Sequence, residues 1–106
     1  MIILRATSDI IRVITTAAGA VDAHVSAMEA DNATPPVVQD IVRVNTASIT
    51  TATTTTILDC TTSNRRRNVK NITIFNTHAS TTNGITVEHS DGTTAETLWT
   101  GTLLAG

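Results

Sequence analysis

Three histidines, one cysteine and a run of three arginines are the residues of this 106-residue chain whose chemistry invites a first test. His24, His78 and His89 fall on strand-like stretches, or at their ends, beside small polar residues. A metal site needs three or four convergent ligands, and no spacing here brings the imidazoles together. They read as surface or turn histidines. Cys60 follows Asp59 at the end of an apolar run with no nucleophile signature around it, which fits a small buried hydrophobe. A lone cysteine excludes an intrachain disulfide. No Gly-x-Ser-x-Gly elbow occurs, and the five glycines are scattered singly, so no phosphate-cradling loop is present. The carboxylates Asp22, Glu29, Asp31, Asp40, Asp59, Glu88, Asp91 and Glu96 are dispersed without a catalytic pair. These residues point to a protein that is not an enzyme and uses no metal or cofactor.

The dense charge feature is NRRRNVK, carrying Arg65, Arg66, Arg67 and Lys70. It reads as a polar loop before a strand, either simply solvated or in contact with an acidic partner surface. Arginine forks suit the second role because they pair bidentately with carboxylates. Nucleic acid is disfavoured: the net charge is −2 and no aromatic platform accompanies the cluster. The opening MIILRATSD is too short an apolar run for a signal peptide or membrane span. The expectation is therefore a chain made in a cytoplasm, with no membrane partner. The NAT and NIT sequons at Asn32 and Asn71 read as chance in that setting.

Period-two alternation dominates the elements that must position these groups. In AVDAHVSAME, Val21, Ala23, Val25 and Ala27 share one side, and Asp22, His24 and Ser26 the other. That is a half-buried strand, with a helix over Val21 to Ala30 as the alternative that its alanines allow. DIIRVITT, from Asp9 to Thr16, carries β-branched residues on both sides and is closed by a turn at Gly19. DNATPPV is a surface loop. VVQDIVRV, from Val37 to Val44, has no cleanly polar face, which fits an edge strand or an interface.

The Thr-rich tract from Thr46 to Leu58 reads as a strand, because disordered tracts are poor in the β-branched residues that fill it. Val69 to His78 is a strand with Ile72 and Ile74 opposite Thr73 and Phe75. ITVEHSDGTTAETLW reads as a hairpin around Asp91-Gly92, with Glu96 to Thr100 returning and GTLLAG adding a last short strand. The sum is one all-β domain over residues 1–106, with residues 1–8 as an extended N-terminal arm. Seven or eight short strands imply an antiparallel β-sandwich, jelly-roll or Ig-like, or a small β-barrel.

Composition limits the core of that domain. Aromatics are 2% of the chain, one Trp and one Phe, and charged residues 15%. Threonine supplies roughly a fifth, several times ordinary usage. Such a core is built from aliphatic side chains and Thr methyls, which bury little area each. Extra burial against sister subunits or a larger assembly is expected. Trp99 stands beside Leu98, so by alternation one of the two points away from the core. Trp99 is read as core or interface, with an exposed sugar-stacking site as the alternative.

The C-terminal third, NITIFNTHASTTNGITVEHSDGTTAETLWTGTLLAG, resembles small virion proteins of tailed bacteriophages. The features that carry the likeness are a strand ending in Asn, a Ser/Thr/Ala turn and a TV-x-H strand, then a DGT turn, an LW strand and TL-x-AG. The Thr-rich ITTATTTTIL upstream is similar to that group as well. Proteins of this kind often continue past AG into another strand, so a neighbour is expected to supply a missing strand, or the fold closes earlier. The resemblance implies a structural part of the virion, first of all a head decoration (cement) protein that clamps the major capsid protein, often as a homotrimer. A tail, neck or fibre-attachment component, or a receptor-binding sandwich at the tail tip, is the alternative. On this reading Ile2, Ile3 and Leu4 form an arm that pairs with a neighbour. Arg65, Arg66 and Arg67 dock on acidic capsid surface, and Val38, Val42, Val44 and Trp99 line contacts.

Overall fold

A computed structural model of the chain, described for residues 2–105, contains strands and turns but no helix among those residues. The strands are β1 (Ile2–Leu4), β2 (Ile10–Thr15), β3 (Val21–Asp31), β4 (Val38–Ile49), β5 (Thr54–Asp59), β6 (Arg65–Asn76), β7 (Asn83–Ser90) and β8 (Ala95–Leu103). They form two four-stranded antiparallel sheets, ordered β1-β6-β3-β4 and β5-β2-β7-β8. The sheets enclose one aliphatic core, with Leu4, Val21, Val25 and Val69 from the first and Ile11, Val13, Ile85 and Val87 from the second. This is the all-β, β-sandwich class that the alternating pattern implies. An Ig domain pairs its first strand with its second. Here β1 lies against β6.

Alternation explains why β3 is a strand despite its alanines. Val21, Ala23, Val25 and Ala27 are all buried, while Asp22, His24 and Ser26 face outward, and both edges of the strand are paired. Elsewhere bulges break the period. Across the β2–β5 ladder Ile11 faces Leu58 and Arg12 faces Thr56, leaving Ile57 as the extra residue. The bulge turns consecutive Ile57 and Leu58 both inward, where they are 1% and 2% exposed.

Three sequence expectations are corrected. The Thr tract is not one strand: β4 runs on to Ile49, residues 50–53 turn, and β5 begins at Thr54. Ser48, at φ 55° within β4, sits at the register shift opposite Asp22, whose carboxylate accepts its N–H; Thr15 Oγ1 donates to the Thr51 carbonyl at 2.7 Å and holds the turn that follows. The arginines are not in a loop but begin β6. The return of the hairpin and the last short strand are one strand, β8. The Asp91-Gly92 hairpin itself is present. Asp91 Oδ1 accepts the N–H groups of Thr93 and Thr94 at 2.9 and 2.7 Å, and Gly92 takes a φ of 94° that favours glycine.

Buried amides tie the remaining turns to the sheets. Asn83, fully buried, accepts from the N–H groups of Thr16 and Ala17 and donates to the Ala17 carbonyl. Asn76 donates to the carbonyls of Thr81 and Leu103, linking the end of β6 to the end of β8.

Candidate functional site

One side of the sandwich is closed and the other open. β5 packs against β3 and β4, whereas a cleft of about 410 Å³ opens between β6 and β8. Its first wall is Ile2, Ile72 and Ile74; its second is Val87, Leu98, Trp99 and Leu103. The cleft follows from strand lengths. β1 pairs only with Arg67–Val69, so among the described residues no strand lies beside Asn71–Asn76, and Ile72 and Ile74 are only half-covered.

Both Leu98 and Trp99 line this cleft, which corrects the expectation that alternation sends one of them away. Val87 faces Trp99 and Glu88 faces Thr97, so Leu98 is a bulge residue and the period slips there. Gly101 completes the arrangement: a Cβ on it would sit 2.6 Å from Trp99 Cζ2, so the indole lies across the bare glycine. Trp99 remains 47% exposed. Phe75, the other aromatic, is 59% exposed on the outer face of the first sheet, beside a shallow 210 Å³ depression that includes Asp22, His24, Asn45 and Thr73.

The remaining residues singled out by sequence are dispersed. Ile2, Ile3 and Leu4 pair with β6 of their own chain, and Leu4 is wholly buried in its core. The described part of the expected arm is therefore an intramolecular edge strand, because Leu4 supplies area that the aliphatic core needs. β4 is an edge strand, as its mixed faces suggest, but its residues divide. Val42 and Val44 pack against the core, while Val38 and Ile41 are exposed, Ile41 to 79%.

Of the arginines, Arg67 is committed within the chain. Its Nε donates to Glu29 at 2.9 Å, its Nη1 to the Asp59 carbonyl at 2.8 Å, and its side chain is 14% exposed. Strand register sets it opposite Glu29, a pairing that a loop reading does not anticipate. Arg65 lies opposite Asp31, and both Arg65 and Arg66 are half-buried.

The titratable groups are engaged locally. Burial pushes the Cys60 thiol above its ordinary range, so it stays protonated at neutral pH. His78 Nδ1 accepts the N–H groups of Ser80 and Thr81, and His24 meets the Asn45 amide, which makes both histidines local organisers of turn and sheet. Among the described residues no three His, Cys, Asp or Glu side chains gather as a metal site would require. Backbone donors from Val37 and Ala33 hold Asp31 below the usual carboxylate range, and those of Thr94 and Thr93 do the same for Asp91. Both are turn caps.

Sequence reasoning missed Ile72, Ile74, Leu98 and Leu103 as a group, since each belongs to an ordinary apolar alternation. Comparison of the chain with protein-family models, with curated proteins and with solved structures finds no match.

Proposed function

We propose that this protein is a non-enzymatic structural subunit of a tailed-bacteriophage virion, a head decoration protein that binds the assembled capsid lattice. The sequence resemblance of the C-terminal third suggests the particle. The observation that carries the structural role is the placement of the aromatics. The buried core is aliphatic apart from Cys60, while Trp99 and Phe75 both lie largely outside it. Ile41 and Val38 are exposed as well. Trp99 is also continuous with Ile72, Ile74, Leu98 and Leu103 along the open cleft, and a contiguous apolar surface of that kind marks an interaction site. A subunit that binds only the assembled lattice stabilises it by mass action, repeated at every site. Its partners are then the major capsid protein and neighbouring copies. It is made in the bacterial cytoplasm and resides in the virion.

The test is the copy number of the protein in purified particles relative to the major capsid protein. A ratio near parity is the expected result. A count matching one small ring or a few fibres moves the protein to the neck or tail, and absence from particles ends the virion reading.

A further inference from the structure

We propose that two copies of this chain associate through the vacant edge of β6, extending the first sheet across a two-fold axis. The inference rests on the edge geometry alone and holds whether or not the protein belongs to a virion. β6 runs from Arg65 to Asn76, yet β1 covers only Arg67–Val69 on its outer side. Beyond the bulge at Lys70 the edge from Asn71 to Asn76 presents backbone groups that no strand among the described residues pairs. An edge of this kind is a template for another extended chain.

The choice of edge follows from what protects the others. β4 carries Asp40 and Arg43 and is interrupted by register shifts near both ends. β5 is short and bulged at Ile57, with Asp59 at its end. β8 is bulged at Leu98, carries Glu96 near its start and contains Gly101. Charges, bulges and short length are the devices that keep edges from pairing. Asn71–Asn76 has none of them: the segment NITIFN carries no charge, proline, glycine or bulge.

The same segment is complementary to itself. In an antiparallel pairing centred on Thr73, Thr73 faces Thr73 of the second copy. Ile72 then faces Ile74 on the cleft side, and Asn71 faces Phe75 on the outer side. Directly opposite residues share a face, so each copy's half-covered isoleucines meet each other and its exposed phenylalanine gains a neighbour. An isologous contact of this kind closes at two copies. The threefold assembly suggested by the resemblance would need a different surface.

Sedimentation velocity at micromolar concentration, with single cysteines introduced as register probes, tests the proposal. Opposed residues in an antiparallel pair lie ~4.5–5.5 Å apart at Cα, within disulfide reach. Thr73→Cys is therefore expected to give a covalent dimer on mild oxidation. Asn71→Cys is expected to give none, because its counterpart lies about 13 Å along the strand. Cys60 is fully buried and stays out of the reaction. Thr73→Lys sets two ammonium groups against each other and is expected to raise the dimer Kd about fivefold or more, whereas Ile41→Lys on β4 leaves it unchanged. If Thr73→Lys fails to fold, the cysteine pair still decides. A monomer at all concentrations, a trimer, or a dimer that Asn71→Cys links and Thr73→Cys does not would each overturn the proposal.

Discussion

Ile57 and Ile74 are the same residue on the two sides of one sandwich, and they meet different fates. Ile57 lies in β5, where the second sheet packs under β3 and β4, and is 1% exposed. Ile74 points into the same interlayer space from β6, but there the neighbouring strand β1 stops after three residues and the layer stays open. Residue type and alternation do not separate them. Strand order and strand length do, so the open side is a property of topology rather than of composition.

Cutting each isoleucine to alanine measures that difference directly. Ile57→Ala is expected to cost about 3–4 kcal/mol, since the fully enclosed site cannot collapse around the lost atoms. Ile74→Ala is expected to cost about 1 kcal/mol, in proportion to its partial burial. Urea unfolding reads both, and equal losses would show that the cleft is closed in solution. The next largest effect belongs to Arg67→Ala, expected at about 2–3 kcal/mol, because it strands the Glu29 carboxylate, whose side chain is 13% exposed.

Trp99→Ala, on the open side, is expected to cost only about 1–2 kcal/mol, less than a fully buried tryptophan would. Gly101→Ala sharpens the same point. The new methyl has to displace the indole, so Trp99 emission is expected to shift to the red with a stability loss of about 1 kcal/mol. An unshifted spectrum would place the ring elsewhere.

The smallest effect separates the caps from both regions. Asp91 has its pKa lowered by the Thr94 and Thr93 N–H groups in the folded state. A depressed carboxylate adds stability that is present above its unfolded value near 3.8 and is lost as pH falls through the lower folded value. Asp91→Asn is therefore expected to lower stability slightly at neutral pH and leave it nearly unchanged at the acid end, which flattens the acid limb of a stability–pH curve.

Several parts of the fold were legible because they depend on neighbours in sequence. The Asp91-Gly92 hairpin, the loop around Pro35 and Pro36, and the inward set of β3 all follow from local turn chemistry or strict alternation. The misread parts depend on partners far along the chain. Residues 50–53 look like strand because every threonine there favours extended backbone, but Thr15 binds the Thr51 carbonyl and turns the chain. Three arginines look solvated until β3 sets Glu29 and Asp31 across from them. The cleft was hidden more deeply still. Ile72, Ile74 and Leu98 are each ordinary in sequence, and only the bulge at Leu98 and the shortness of β1 gather them with Trp99 on one open side.

From the sequence followed an all-β chain whose core draws mainly on aliphatic side chains, because alternation and β-branched content act residue by residue. The sequence also determined that two aromatics would be the largest apolar groups on offer. The tertiary arrangement placed both largely outside that core, sequestered Arg67, and left Asn71–Asn76 of β6 with no strand beside it among the described residues. Those outcomes depend on register and strand order, which are set by pairings between residues dozens of positions apart.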